Sequence, residues 1–563
     1  MIKKSFSDIS VIKWLFAKSK NQLIKISLLI LGNIIYAGSV SGFAVICKQI
    51  IDGTARKNRE QIISYGILLF ITIVFQFILR ISLNSGSEYI RSTLAINYRQ
   101  EIFSSILNKK YKNISKYHSG ELINRLFSDL QIISDGIVTL LPSFFNILVR
   151  IISTGVILII FDKNFIFLFL IGGVFSLVAS NFFRPRLKRL HKEVQEKSGV
   201  LRSFIQEILE KIVFIKMFSS EKKISNISTN LQHNLFSSQM KRRNISIVAN
   251  AGFSFLFEFG YLLGIIWGSF KVYNGDMTYG TLMAILQLIL QLRVPFASLS
   301  GFLPKIYSIF ASAERLMEIE SIENEEISNR KLKYEDFKSV EIKELSFKYE
   351  DNIILNSVNM NINKGDFISI TGVSGGGKST LFLLLAGIHQ PNSGTINFYG
   401  NSEIFSAGAE TRDIFGYVPQ GNQLFSGTIR ENISFLNDKA TLEEVEEIAK
   451  IACIDEFINS LPDRYDTPIG ENGLGISEGQ AQRIAIARTL LSGCNFLLLD
   501  EATSALDENT EAEILKNISS LKNKTCIIVT HRKSALKICN RHYLFTNQSI
   551  KEIFCWYYLS YIV

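Results

Sequence analysis

Three stretches of this chain carry no charged side chain: residues 26–47, 61–79 and 164–183, runs of 22, 19 and 20 residues. A helix rises about 1.5 Å per residue, so each run can cross about 30 Å of hydrocarbon. Inside lipid every backbone N–H and C=O needs a partner within the protein, which makes the helix the natural form for such a run. Three further stretches reach that length if one ionisable residue is allowed inside: 136–161 around Arg150, 244–270 around Glu258, and 277–304 around Arg293. The reading is six spans.

The basic segment before the first run (Lys3, Lys4, Lys13, Lys18, Lys20, Lys25) reads as a cytoplasmic flank, and the run is too long for a signal-peptide core. With the N-terminus inside, the long connections at about 80–135 and 184–243 fall on the cytoplasmic side. Both are rich in Arg and Lys, the second opening with Arg184, Arg186, Lys188, Arg189 and Lys192. The short 48–60 segment, with Lys48, Arg56, Lys57 and Arg59, departs from this pattern. A net charge of +10 would suit a nucleic-acid binder, but the surplus gathers at the cytoplasmic membrane face, so no nucleic-acid partner is expected. The six cysteines show no C-x-x-C pair or paired spacing, which argues against a zinc site or disulfide frame and for buried reduced thiols.

Near Ser321 the character changes to an acidic polar stretch, read as a linker over 321–338. Beyond it, strand-like segments such as VEIKELSFKY and DFISI alternate with helix-like ones, the pattern of a soluble α/β domain. Its strongest signal is GVSGGGKS at 372–379, between the strand-like FISIT and the helix-like STLFLLLAG. Gly372, Ser374, Gly375, Gly376 and Gly377 supply a turn whose N–H groups can ring phosphate oxygens. Lys378 adds positive charge, Ser379 a hydroxyl for Mg²⁺, and the helix starting at Lys378–Thr380 aims its dipole at the anion. Downstream, NFLLLDE at 495–501 ends in two carboxylates, placing Asp500 toward Mg²⁺ and Glu501 beside an attacking water. ISEGQ at 476–480 opens an apolar helix whose start could also bind phosphate.

These motifs, in this order over about 340–545, resemble those of ABC transporters of the exporter type, with membrane and ATPase halves fused as a half-transporter. The resemblance implies a fold of six long transmembrane helices followed by an α/β P-loop ATPase domain. It divides the chain into a membrane domain at 1–320, a linker at 321–338 and an ATP-binding domain at 339–563. ATP and Mg²⁺ are the implied cofactors. ISEGQ resembles the family's LSGGQ signature, with Ile476 and Glu478 departing from the commonest form and Ser477, Gly479 and Gln480 matching it. Tyr349 resembles the aromatic that stacks on adenine. Gln420 resembles the residue linking Mg²⁺ and the attacking water to the membrane domain, Asp507 belongs to a loop like the one crossing the dimer interface, and His531 resembles the switch histidine. Glu471 resembles the segment before the signature. The other histidines, among them His389 and His542, read as surface or packing residues. Segments 115–130 and 207–221 resemble the two coupling segments.

The partners so implied are a second half-transporter subunit, most simply a second copy, the lipid bilayer, and an exported substrate that the sequence does not identify. An ATP-gated channel or regulator on the same scaffold is the alternative, although such proteins tend to lose a hydrolytic residue and none is missing here. A peptide-processing exporter would need a protease domain before the first span, where about 25 residues stand. Arg150 and Glu258 fall at similar depth in the membrane and are expected to face the interior, either pairing or lining a cavity with Gln287 and Gln291. Arg293 is expected nearer the inner boundary, its stem reaching the headgroups.

Overall fold

The computed structural model describes residues 7–163, 165–326, 330–373, 375–421, 424–470, 475–521 and 523–553, without the side chains of 165–181, 184, 253, 297, 299–301 and 303. The expectations for Ser374 and Glu471 lie outside the described residues. The chain forms two compact units: one comprises the residues up to Leu107 and His118–Ser321, the other Asn108–Tyr117 and the residues from Ile322 onward.

The first unit is helical. Its long helices are α1 (Leu23–Ala55), α2 (Arg59–Leu107), α3 (Leu141–Phe161), α4 (Phe165–Glu210), α5 (Glu221–Tyr273) and α6 (Tyr279–Glu320). Among the described residues, five helical stretches are long and apolar enough to cross a membrane; the run at 164–183, at the start of α4, lies where side chains are not described. Near one end, the Asp52 carboxylate in the last turns of α1 accepts the Gly280 N–H at 3.0 Å. Only glycine fits that approach in α6, since a Cβ at 280 would run into Asp52 and the Lys48 carbonyl. Near the other end, Asp129 is 1% exposed and takes three bonds from α6: Arg315 Nε at 2.7 Å, Arg315 Nη2 at 2.5 Å and Ser312 Oγ at 2.9 Å. Arg125 continues this cluster, donating to the Arg315 carbonyl at 2.5 Å and pairing with Glu318 at 3.0 Å.

The membrane charges are arranged differently from the expectation. Glu258 meets Arg293 at 3.8 Å, not Arg150, and Arg293 Nη2 donates to Ser254 Oγ at 2.9 Å instead of reaching toward headgroups. The packing explains the exchange: α5 runs along α4 and α6, whereas α3 lies on α1 and α6. Glu258 therefore has an α6 cation beside it. Arg150 lines a cavity, as one of the two expectations had it, but Gln287, Gln291 and Glu258 are not among that cavity's lining residues. Gln291 instead donates to the Val40 carbonyl at 3.3 Å.

The second unit is built on two sheets. Strands β1 (Ser339–Tyr349), β2 (Asn352–Asn363), β4 (Ser393–Tyr399) and β5 (Ile404–Ser406) form an antiparallel sheet in the order β2-β1-β4-β5. The larger sheet uses β3 (Phe367–Gly372), β6 (Phe415–Val418), β9 (Phe496–Asp500), β10 (Thr525–Val529), β11 (Arg541–Thr546) and β12 (Ser549–Ile553) in the order β12-β11-β3-β10-β9-β6, with a short β7–β8 pair (Gly427–Thr428, Pro468–Ile469) apart. All neighbours in the large sheet are parallel except the β11–β12 hairpin. Parallel strands covered on both faces read as continuous apolar runs, which is why FLLLD and TCIIV are buried at every position. Within the stretch read as linker, Leu332, Tyr334 and Phe337 are buried in this core, and Tyr334 and Thr525 share a hydroxyl hydrogen bond at 2.7 Å. Cys526 and Cys539 are buried free thiols as expected, whereas Cys47, Cys453 and Cys494 are half-buried.

Candidate functional site

The pairing register fixes the site. Val529 stands opposite Ile370 on one side and Asp500 on the other, so the carboxyl ends of β3, β9 and β10 lie side by side. That edge of an open parallel sheet is where such folds bind ligands. From it emerge the glycine-rich loop after β3, the Asp500–Glu501 pair after β9, and His531 just after β10.

Gly372 ends β3 at φ +149°, with the Phe545 carbonyl standing where a Cβ would go, and Gly377 sits at φ +110° as the N-cap of α7 (Lys378–Leu385). No side chain fits either place, so the loop can only turn this tightly with glycine. Gly375 also has positive φ, at +76°, and Gly376 donates its N–H to the Val373 carbonyl at 3.1 Å. Lys378 is 5% exposed, and its ammonium donates to the Gly372 and Val373 carbonyls at 2.7 and 3.0 Å. Burial pulls that ammonium below the ordinary lysine range, and the Glu501 and Asp500 carboxylates push the other way. Thr380 is buried in the first turn of α7.

Asp500 is 2% exposed. Burial raises its carboxyl above the usual range, opposed by hydrogen bonds from Ser379 and Tyr417, the latter at 3.3 Å. Glu501 takes a left-handed backbone (φ 49°) and accepts from Gln420 Nε2 at 2.8 Å. A non-glycine residue in that region is held by its surroundings, here by its N–H bond to the Val529 carbonyl at 3.2 Å. Ser379, Asp500 and Gln420 supply a hydroxyl, a carboxylate and an amide oxygen. This donor set fits Mg²⁺, which keeps waters and takes phosphate oxygens rather than an all-protein cage. Among the described residues there is no cluster of three His, Cys, Asp or Glu side chains able to hold a metal alone.

The signature residues are placed elsewhere. Ser477 caps α8 (Glu478–Leu491), and Gln480 returns a bond to the Ser477 N–H at 2.9 Å, a capping box. Ile476 packs against the core beneath, and Glu478 is an exposed carboxylate in the first turn, where it suits the helix dipole. Gly479 lies against the Ala505 carbonyl. Among the described residues, Ser477, Gly479 and Gln480 make no bond to residues 372–380. Asp507 caps the next helix through the Thr510 N–H at 2.9 Å.

Residues not singled out from the sequence tie these pieces together. Gln482, 2% exposed, donates to Ser504 Oγ and accepts from the Ala505 N–H, both at 3.1 Å. Arg532, next to His531, donates to the Leu506 and Ser504 carbonyls at 2.5 and 2.6 Å. Glu511, fully buried, takes hydroxyls from Thr503 and Ser534 at 2.6 and 2.7 Å. Only their spacing from recognised motifs marked them. Tyr349, 41% exposed, ends β1 with its hydroxyl 3.1 Å from His389 Nε2. His389 is 5% exposed, has no hydrogen-bond partner at Nδ1 among the described residues, and meets the Tyr111 ring edge-on at 5.5 Å.

Two family models match this chain: the ABC transporter transmembrane region over residues 23–296 and the ABC transporter family model over 355–504. A putative export ATP-binding/permease protein of Rickettsia felis is 31% identical over 555 residues, 94% of this chain and 92% of that protein. The chain belongs to the ABC transporter family. ABC transporter B family member 1 of Dictyostelium discoideum is 30% identical over 81% of this chain, which spans about half (51%) of that relative's length. A bacterial Atm1-family ABC exporter solved with ATP bound shares the fold, with a TM-score of 0.78, 22% identity and 95% coverage of both chains. The protein is thus a membrane-resident ABC transporter with a helical membrane domain and a cytoplasmic ATP-binding domain.

His389 gives the ATP-binding unit a pH dependence. Burial lowers its pKa, and the charge of Lys112 lowers it further, with Tyr349 and Tyr111 the other titratable groups against it. The unfolded chain therefore binds the proton first, and stability falls as pH drops below about 6.5, by up to about 1.4 kcal/mol per pH unit for one proton. Thermal unfolding between pH 7.5 and 5.5 is expected to shift less in His389→Phe than in the natural protein; equal shifts would assign the effect to other groups.

Proposed function

We propose that this ABC transporter is an ATP-driven exporter that works as a dimer of two copies, each chain holding ATP and Mg²⁺ on its own P-loop and meeting the partner's signature turn. The observation carrying this reading is the pair of hydrogen-bonded couples on one sheet edge, Ser379 with Asp500 and Gln420 with Glu501, while Ser477 and Gln480 bond to each other and their helix is tied through Gln482 to Ser504 and Ala505. One chain so arranged has half of two sites. Lys378 exchanges its two carbonyls for the β- and γ-phosphate oxygens, and Tyr349 offers its exposed ring face to adenine. Glu501, oriented by Gln420, takes the proton of a water whose oxygen bonds to the γ-phosphorus as the bond to the β-phosphate oxygen breaks. Ser379, Asp500 and Gln420 would hold Mg²⁺, which when bound draws charge off the phosphate oxygens. His531 follows β10 at the same edge and is exposed, suited to the γ-phosphate. Closure of the two ATP-binding domains around nucleotide, and their release after hydrolysis, drives alternating access in the membrane domain.

Mixed dimers test this arrangement. Lys378→Ala spoils the P-loop, and Ser477→Arg spoils the signature. Each variant alone leaves two broken sites, but a mixed dimer regains one intact site if the halves come from opposite chains. Coexpressed variants, isolated through two different tags, are expected to recover ATP turnover above either parent; no recovery would argue against the composite site.

A further inference from the structure

The first unit has a half-open cavity of about 560 Å³ lined by α1, by α3 with the turn before it, and by α6, of the size that binds a small ligand. Arg150 and Lys305 line it together with the apolar Leu140, Ile147, Val294 and Phe302. Arg150 stands 12 residues before Asp162, about 18 Å along the helix from that end at about 1.5 Å per residue. Among the described residues its Nε is buried without a hydrogen-bond partner. The parts of those helices around the cavity, residues 23–51, 136–161 and 277–313, contain neither Asp nor Glu. The nearest candidate by depth, Glu258, is paired with Arg293. A cation at bilayer depth is costly unless something neutralises it, and a buried donor without an acceptor adds to that cost.

We propose that this cavity binds an anionic amphiphile, its phosphate or carboxylate head between Arg150 and Lys305 and its apolar body against Leu140, Ile147, Val294 and Phe302. The two charges select the head, and the apolar wall rejects a bare ion. An amphiphile of this kind can arrive from the bilayer as an acidic lipid or from water as a single-chain alkyl phosphate; both present the same group to Arg150. That such a ligand is then carried rests on the export reading above, whereas its binding does not.

The test uses the full-length purified protein in detergent. Fluorescent phosphatidylglycerol and phosphatidylcholine are titrated in parallel, with dodecyl phosphate and inorganic phosphate as competitors, and ATP turnover of the natural protein is read separately. A charged hydrogen bond contributes about 1.5–3 kcal/mol, so the acidic lipid is expected to bind about tenfold or more tighter than the zwitterionic one. Dodecyl phosphate displaces it and inorganic phosphate does not. Arg150→Gln and the exposed Lys305→Gln each weaken it by about tenfold, and Arg150→Lys restores most of the loss. Binding of dodecyl phosphate alone supports the same site with an aqueous source. Equal affinity for the two lipids, unchanged binding in both glutamine variants, or displacement by inorganic phosphate as effective as by dodecyl phosphate would overturn the proposal. Lack of ATP turnover with intact anion binding would count against the export reading only.

Discussion

Glu501→Gln is expected to lower ATP turnover by about 100-fold or more, the scale of losing a positioned general base, while nucleotide binding persists. The amide keeps the size of the carboxylate and can still bond to Gln420, whose Nε2 lies 2.8 Å from Glu501 Oε2. What it lacks is the basicity to take the proton from water. Because binding, and not hydrolysis, closes the proposed dimer, the variant accumulates in the closed form when ATP is added. Two measurements check it: ATPase activity, and the fraction of protein running as closed dimer with ATP and Mg²⁺. Turnover within a factor of a few of the natural protein would remove Glu501 from the role assigned to it.

The second large effect is structural. Arg315→Met leaves Asp129 almost wholly buried with Ser312 as its remaining donor of the three described. Removing one member of a buried ion pair costs about 3–5 kcal/mol because the other charge stays desolvated. Arg315 is itself partly exposed, which places the expectation near the lower figure, about 3 kcal/mol. Asp129→Asn combined with Arg315→Met removes both charges and is expected to cost less than the sum of the two single changes. Thermal unfolding of detergent-solubilised protein reads all four forms. Additive losses would show that the pair does not act as a unit.

The nucleotide half was legible because its chemistry is local in sequence. A glycine loop must follow a strand and open a helix, so GVSGGGKS announced its own surroundings, and the glycines stand where positive φ or a close carbonyl demands them. Asp500 and Glu501 were legible for the same reason, at the end of a fully apolar strand. Gln482, Arg532 and Glu511 were not, because their partners are set by how separate segments fold together. The membrane charges show the limit most clearly. Depth along a helix follows from counting residues and placed Arg150 and Glu258 at one level, but rotation and neighbour choice come from packing. The helix α5 packs on α6 as well as α4, and so Glu258 met Arg293.

The ATP-binding unit is a two-piece fold, and no single cut of the chain yields it whole. Residues Asn108–Tyr117 belong to it although they lie more than 200 positions upstream of Ile322. They contribute the backbone bonds from Lys110 to Glu323 and from Glu325 to Asn108, and the Tyr111 ring against His389. A soluble fragment starting at Ile322 would keep every motif residue and still lose one wall of the pocket that dries His389. Nucleotide affinity or pH behaviour measured on such a fragment would then describe a domain with its histidine opened to water, and a peptide spanning Asn108–Tyr117, supplied in trans or fused ahead of Ile322, is the piece that restores the missing wall.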